Sequence, residues 1–247
     1  MKKEKVYSAE VIRAYGVDPR EVPLYPISQA ARYLKIPTRT LRDWTLGRTY
    51  SINQGNEQRN FSPLIQLPNR DIFSLSFMNL IEAHVLKGMR KMENIPLYKI
   101  RLALDYIEKQ FPSPYPLADN HFQTDGIDLF VEKLGQLLAV SRGGQLTFKE
   151  IIQDYLRRID RDFDAKPLRI YPFLKSNPNA NDPKQILIDP LVSFGRPVLV
   201  GTGIPTDVLA GRFYSGDSLE ELAEDYGVKE EQVEEAIRYE APIRKAA

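Results

Sequence analysis

The residues best suited to recognise another molecule lie near the N-terminus, between Pro26 and Gly47. In this segment Arg39 and Arg42 are three residues apart on the second of two predicted short helices, with the sequence PISQAARYLKIPTRTLRDWTLG. A guanidinium group can pair bidentately with guanine in the major groove and can also bind phosphate. Two arginines on the outer face of one short helix are therefore typical of DNA recognition.

Two helices and a tight turn must position these arginines. Ser28 and Thr38 are predicted to cap the two helices with their hydroxyl groups, and Gly47 to end the second helix in the left-handed conformation. Leu41 and Trp44 are three residues apart and are expected to face the first helix. The predicted DNA-binding residues are Ser28, Thr38, Arg39, Thr40, Arg42, Asp43, Arg48 and Arg59. An αα-hairpin used for packing or for protein contact is the alternative.

Charge is distributed unevenly along the chain. Residues 1–110 contain 18 lysines and arginines against 11 acidic residues, and residues 111–247 contain 16 against 22. The net charges of +7 and −6 add up to the +1 of the whole chain. A basic half attracts phosphate and an acidic half repels it, although two solvated surfaces of unrelated bias would give the same counts.

Apolar spacing and turn residues predict the remaining elements. A short helix is expected over 8–16, and a hairpin that pairs Thr49–Ile52 with Leu64–Leu67. Two helices are expected over about 74–92 and 96–111, followed by a proline-rich turn. Gly126 to Phe148 is interpreted as short strands broken at its glycines, and Lys149 to Arg161 as a helix. The last predicted elements are a boundary loop at 175–184, a strand at 185–188, and helices at about 206–214, 218–226 and 229–240.

The last helices carry a strongly acidic surface. Ten acidic residues lie between Asp217 and Glu240, against Lys229 and Arg238. Phosphate would be repelled by such a surface, so this second helix-turn-helix-like segment is not expected to bind DNA. A solvated face and a protein-docking face both remain open as interpretations.

The N-terminal segment resembles the MerR-like class of winged helix-turn-helix domains, in which A-A-x-x-L…T-L-R-x-W/Y recurs. The resemblance covers about residues 25–70 and implies that Arg48 to Leu67 is the wing. Arg59 is then the best candidate for a contact with the DNA backbone or minor groove. Asp43 departs from the class, which usually carries an aromatic residue at that position.

The C-terminal segment resembles a small antitoxin domain of formally unknown function, typically encoded beside PIN-type ribonuclease toxins. The similar residues are D-P…F-G-R-P-V…G-T-G-I-P-T…L…G-D-S…E-L-A…Y-G…V-E-E-A-I. With the middle segments Leu75–Leu86 and Thr124–Phe130, the chain resembles VapB-type antitoxins that join this domain to a MerR-like reader. The resemblance implies an antitoxin of a type II system that sequesters its toxin and represses its own operon. Gly203 departs from many single-domain relatives, which have arginine there.

Contacts with such a toxin are expected near the same motif and on the C-terminal tail. The predicted partner-binding residues are Phe194, Arg196, Phe213, Tyr214, Arg244 and Lys245. The aromatic residues are either contacts that dominate the binding energy or ordinary core. The resemblance implies a partner whose active-site carboxylates gather Mg²⁺, and a guanidinium can pair with such carboxylates. We therefore expect Arg244 to enter the toxin's active site, with Lys245 as the weaker candidate; an unbound chain end is the alternative.

The sequence lacks the groups that most enzymes need. It has no cysteine, and its two histidines, His84 and His121, are 37 residues apart with no metal-ligand spacing near either. It has no phosphate-binding loop and no apolar run long enough for a membrane span, and we expect no signal peptide because the residues MKKEKVYSAEVIRAYG lack an apolar segment. We therefore expect a cytoplasmic protein without metal, cofactor or enzymatic activity.

These observations predict a mainly α protein of α+β class. We expect a winged helix-turn-helix in residues 1–72, a helical and small α+β middle in 73–175, and a toxin-docking domain of three helices and short strands in 185–247. The expected partners are double-stranded operator DNA, a PIN-domain ribonuclease toxin and a second copy of the chain within a hetero-oligomer. The alternative is a stand-alone MerR-like regulator that responds to a small molecule bound in residues 75–175.

Overall fold

Short helices and two-stranded antiparallel pairs make up the fold. The computed structural model describes residues 16–52, 57–69, 71–91, 95–139, 141–173 and 182–242. In these residues nine α-helices alternate with four separate strand pairs, which confirms the predicted mainly α, α+β class. The helix predicted over 8–16, most of the loop 175–184, and both Arg244 and Lys245 lie outside the described residues.

The predicted helix-turn-helix is formed by α1 (Ile27–Leu34) and α2 (Thr38–Leu46), preceded by strand β1 (Tyr25–Pro26). Lys35 ends α1 in the left-handed conformation, and the amide of Ile36 donates to the carbonyl of Ala31. The predicted capping by Ser28 and Thr38 is wrong. Each helix begins directly after a proline in extended conformation, so both hydroxyls lie within the first turn and cap nothing.

The wing is a hairpin of β2 (Arg48–Ile52) and β3 (Glu57–Phe61), in which Arg48 pairs with Phe61. The second strand predicted at Leu64–Leu67 is wrong. Leu64 and Ile65 are buried, and their amides donate to the carbonyl of Trp44, so they belong to the core. Gly47 has the predicted positive φ of 73°, but its ψ of −176° is extended rather than helical. A Cβ at Gly47 would overlap the carbonyl of Phe61, so the close approach of β3 requires glycine.

The middle region is more helical than its glycines suggest. Strand β4 (Ser74–Leu75) pairs with β1, and α3 (Phe77–Met89) and α4 (Leu97–Gln110) match the two predicted helices. The short strands predicted from Gly126 to Phe148 are wrong, because α5 (Ile127–Leu138) and α6 (Arg142–Leu156) occupy this segment. Gly135 lies inside α5, where a Cβ would overlap Gln145 of α6. The glycine therefore permits a helix contact rather than a chain break.

The helix predicted to Arg161 ends earlier, at Leu156. The next residues form β5 (Ile159–Arg161), which pairs with β6 (Pro167–Ile170). Beside this pair the buried guanidinium of Arg20 binds Asp18 at 2.7 Å and Asp162 at 2.6 Å. A buried charge needs such partners, and these two carboxylates attach the segment before β1 to the middle region.

The C-terminal region has a separate hydrophobic cluster. Strands β7 (Ile186–Leu187) and β8 (Val198–Leu199) pair, and α7 (Thr206–Tyr214), α8 (Leu219–Tyr226) and α9 (Glu230–Glu240) follow, as predicted. Ser218 and Glu221 form the predicted capping box of α8. The cluster is formed by Ile186, Leu199, Leu209, Leu222, Val233, Ala236 and Tyr239. In the part of the chain that the structure describes, no helix has the length and apolar character needed to cross a membrane.

Candidate functional site

The outer face of α2 presents the two arginines that the sequence singles out. Arg39 and Arg42 are exposed, and in the described ranges neither guanidinium group forms a hydrogen bond or ion pair. Leu41 and Trp44 lie on the opposite face, at 0% and 2% exposure. The core therefore fixes α2 while its two guanidinium groups remain available to a ligand.

The other predicted DNA-binding residues differ in accessibility. Ser28 and Thr38 are exposed, and Thr40 is half-buried at the edge of α2. The Arg48 guanidinium donates to the Asp43 carboxylate at 3.3 Å, so Asp43 joins α2 to the wing. Arg59 lies opposite Tyr50 in β3, and its side chain is outside the described part of the structure.

The C-terminal region packs directly against the first helix of the helix-turn-helix. The hydroxyl of Tyr239, in α9, donates to the main-chain carbonyl of Tyr33 at 2.6 Å, and both residues are 1% exposed. Burial raises the pKa of Tyr239 well above its ordinary value, so this hydroxyl keeps its proton. We call this contact, with the charged pairs described next, the α1–α9 junction.

Charged groups complete the junction on either side of the tyrosines. The Lys35 ammonium donates to the carbonyls of Tyr239 and Ala241, where the C-terminus of α9 carries partial negative charge. Arg32 lies 3.6 Å from Glu240, whose other carboxylate oxygen accepts a hydrogen bond from Thr206 at 2.5 Å. These contacts hold the C-terminal end of α1 to α7 and α9.

A second contact between the two regions forms beside strand β1. Gly195 has a φ of 72°, and a Cβ there would overlap the hydroxyl of Tyr25. The ring of Tyr25 packs edge-to-face against that of Tyr33 at 6.3 Å. The F-G-R-P turn of the C-terminal region is therefore seated on the helix-turn-helix. Sequence reasoning missed this contact and the α1–α9 junction, because the residues that meet are far apart in the chain.

The predicted partner-binding residues fall into two groups. Phe194 is 86% exposed and Tyr214 is 65% exposed. Phe213 is half-buried against the C-terminal cluster, so it contributes to the core at least in part. Arg196 forms an ion pair with Asp207, which anchors the turn to the start of α7.

The conformation that presents Phe194 is unusual. Ser193 and Phe194 are consecutive non-glycine residues with positive φ, 48° and 57°, a conformation that costs each about 1–2 kcal/mol. The Ser193 hydroxyl donates to the carbonyl of Gly203 at 2.8 Å and helps to hold the turn. The aromatic ring then borders a groove of ≈ 610 Å³ whose other walls include Val17, Val22, Pro190 and Leu191.

Two protein families match this chain, one over the helix-turn-helix and one over the C-terminal region. Residues 23–104 match a family described as "Putative DNA-binding HTH domain", which includes α1, α2 and the wing. Residues 186–239 match "Protein of unknown function (DUF433)", which includes the F-G-R-P turn and α7 to α9.

Proteins of similar length share nearly the whole chain. The Mycobacterium tuberculosis protein "Putative antitoxin VapB45" is 31% identical over 235 residues, which cover 88% of this chain and 93% of that protein. "Uncharacterized protein Rv2308" of the same organism is 24% identical, over 92% and 93% of the two chains. The crystal structure of Rv2018 from Mycobacterium tuberculosis superposes with a TM-score of 0.63 at 26% identity, covering 88% of this chain and 98% of that one.

The α1–α9 junction yields a stability prediction. Replacing Tyr239 with phenylalanine removes a buried hydrogen bond and leaves the carbonyl of Tyr33 without its partner. We expect the free energy of unfolding to fall by about 1–3 kcal/mol, measured by urea titration with circular dichroism. Tyr214→Phe, the same change at an exposed ring, should stay within about 0.5 kcal/mol of the wild type. Equal losses in the two variants would contradict the importance of the junction.

Proposed function

We propose a function from the premise that this chain belongs to the family of the antitoxin VapB45. It is the antitoxin of a type II toxin–antitoxin system, neutralises a PIN-type ribonuclease by direct binding, and represses its own operon. It acts in the cytoplasm and catalyses no reaction itself. The observation that carries the proposal is the pair of exposed arginines on α2, within a segment matched to a DNA-binding domain.

The DNA-binding step is proposed to use the outer face of α2. An α-helix fits the major groove, and Arg39 and Arg42 can then reach guanine edges or phosphates. The wing, as in MerR-like proteins, would follow the backbone with Arg48 and Arg59. A single DNA-binding domain of this size buries little protein surface on DNA. We therefore propose that two copies of the chain bind adjacent half-sites within the hetero-oligomer.

Toxin binding is proposed to centre on the turn that presents Phe194. Aromatic side chains are enriched in protein–protein interfaces, and a few residues usually dominate the binding energy. Tyr214 and Arg196 would extend this surface, and Phe213 would support it from the cluster beneath. Insertion of Arg244 or Lys245 into the toxin's active site stays a prediction, because both residues lie outside the described chain.

We also propose that the three parts of the chain have different tasks, with bounds at residues 1–72, 73–175 and 185–247. The first part reads DNA, the middle supports it, and the last binds the toxin. The α1–α9 junction joins the first part to the last. Experiments should therefore use the full chain, since removing the C-terminal part would expose the buried surface of α1 around Tyr33.

A second candidate function is a regulator that responds to a small molecule. A cleft of ≈ 420 Å³ supports it, with walls that include Arg20, Tyr115, His121 and Lys166. This alternative requires DNA binding that changes with a metabolite in the absence of any partner protein. The family of antitoxin VapB45 favours the first proposal.

The DNA-binding proposal predicts a specific loss on substitution in α2. Arg39→Ala should weaken binding to the DNA upstream of the gene by about 1–3 kcal/mol, because a bidentate contact to guanine is lost. Fluorescence anisotropy with this duplex and with a scrambled duplex measures the change. Arg238→Ala is the matched control, because Arg238 is exposed on α9 and paired with Glu234 and Glu235. Binding by an Arg39/Arg42 double alanine variant that equals wild-type binding would rule out this assignment.

The toxin-binding proposal predicts a separate loss at the F-G-R-P turn. Phe194→Ala should weaken binding to the neighbouring toxin by at least about 2 kcal/mol, measured by isothermal titration calorimetry, and leave DNA binding unchanged. Phe163→Ala is the control, since Phe163 is 91% exposed between β5 and β6. If both variants bind the toxin as the wild type does, the docking surface lies elsewhere.

A further inference from the structure

The groove beside Phe194 lies at the point where the described chain begins. Val17, Val22 and Leu191 in its walls are 54%, 37% and 39% exposed. Two prolines, Pro19 and Pro190, complete the apolar lining, and Ser193 is its one polar residue. Exposed apolar side chains gathered in one groove mark a surface that another segment or molecule covers. We call this feature the Phe194 groove.

The chain enters the Phe194 groove from residues 1–15, which lie outside the described part. Gly16 immediately precedes Val17, so this N-terminal segment starts at the wall of the groove. Gly16 has a φ of 69°, in the left-handed region. Glycine in that conformation is common directly after the last residue of an α-helix. The backbone of Gly16 therefore fits the end of the helix predicted over residues 8–16.

The predicted helix has one apolar face. Successive residues of an α-helix are about 100° apart, so Val11, Ile12 and Tyr15 fall within roughly 100° of one another. Glu10 and Arg13 fall on the opposite side. A helix this short is marginal in water by itself and needs a tertiary contact for its apolar face. The apolar surface next along the chain is the Phe194 groove.

The dimensions of the groove agree with such an occupant. Its volume of ≈ 610 Å³ lies within the range of about 300–1,000 Å³ that accommodates a drug-sized molecule. The side chains of one valine, one isoleucine and one tyrosine together have a comparable bulk. Eight helical residues extend over about 12 Å, so one face of the segment can place all three side chains in a single groove.

Charge favours the same placement. The strip of chain from Val17 to Val22 borders the Phe194 groove on one side and a cleft of ≈ 420 Å³ on the other. That cleft is lined by four carboxylates against two cations, namely Asp18, Glu21, Asp119 and Asp164 against Arg20 and Lys166. The start of the chain has the opposite bias, with Lys2, Lys3 and Lys5 against Glu4. Complementary charge of this kind fixes the orientation of a docked segment.

We propose that residues 8–15 of the same chain dock in the Phe194 groove, with Val11, Ile12 and Tyr15 against its apolar walls. Because the segment is attached directly to the groove, its effective concentration is on the order of mM, and a weak contact is enough to hold it. A toxin that binds at Phe194 must first displace the segment. This consequence rests on the proposed toxin binding, whereas the docking does not.

The first experiment detects the docked segment in the full chain without a toxin. The sequence has no cysteine, so Glu10→Cys supplies a single attachment point for a nitroxide spin label on the polar side of the predicted helix. Methyl NMR spectra are compared before and after reduction of the nitroxide. We expect the methyl signals of Val22 and Leu191 to be broadened by the label. Unbroadened signals from both residues would overturn the proposal.

A pair of double variants tests whether the apolar face causes the docking. Val11→Asp/Ile12→Asp in the labelled chain should abolish the broadening. Ala9→Asp/Ala14→Asp is the matched control, since it adds the same two charges on the polar side of the helix and should retain the broadening. Circular dichroism confirms that the variants are folded. Broadening that survives equally in both double variants contradicts docking through Val11, Ile12 and Tyr15.

A mixed sample identifies which chain supplies the segment. Isotope-labelled protein without a nitroxide is combined with spin-labelled protein at natural isotope abundance. Signals of Val22 and Leu191 that stay sharp in this mixture support docking within one chain. Broadening in the mixture means that a second copy supplies the segment, which refutes the proposal in favour of a dimer contact.

Titration calorimetry with the neighbouring toxin separates this docking from the proposed toxin surface. If the segment covers the groove in about nine-tenths of the molecules, it weakens the apparent toxin affinity about tenfold. Val11→Asp/Ile12→Asp should therefore bind the toxin about tenfold more tightly than the wild type, and Ala9→Asp/Ala14→Asp should equal the wild type. If the methyl signals are broadened but both variants bind the toxin equally, the docking is upheld and the toxin contact at Phe194 is wrong.

Discussion

The hydrogen bond from the hydroxyl of Tyr239 to the carbonyl of Tyr33 joins the two parts of the protein on which its recognition surfaces lie. Both groups are buried, so separating α1 from α9 would leave two polar groups without partners unless water entered. Lys35 adds a charged tie at the same place, because its ammonium binds carbonyls at the negative end of α9. Since α1 packs against α2, residues at the end of α9 help to fix the helix that carries Arg39 and Arg42.

This constraint places the exposed arginines and the Phe194 turn on one connected framework. Gly195, next to Phe194, packs against Tyr25, which lies two residues before the first helix of the helix-turn-helix. The ion pair of Arg20 with Asp162 attaches the residues before β1 to the middle region. Short-range packing therefore connects the surfaces for which we propose DNA and toxin binding.

Local sequence signals were sufficient for the elements that depend on local interactions. Leu41 and Trp44 identify the buried face of α2, and Ser218 with Glu221 identifies the start of α8. Gly135 led to a wrong prediction of strands. In the sequence, a glycine that lets a neighbouring helix approach looks the same as a glycine that ends an element. The structure distinguishes the two, because Gln145 lies directly beside Gly135. Leu64 and Ile65 suggested a strand, but both side chains are buried in the core. The α1–α9 junction had no local signal, since Tyr239 continues an ordinary apolar stripe and its partner is 206 residues away.

The contacts of α9 with α1 indicate that the C-terminal region holds the helix-turn-helix in place. Native-state hydrogen exchange of the wild type and of a Tyr239→Phe variant tests it most directly, because it reports the opening free energy of individual helices. We expect amides in Ile27–Leu34 and Glu230–Glu240 to have similar protection, and the substitution to lower protection in both helices together. If α9 opens on its own in the variant while the protection of α1 stays at its wild-type value, the two regions are independent and the claim is wrong.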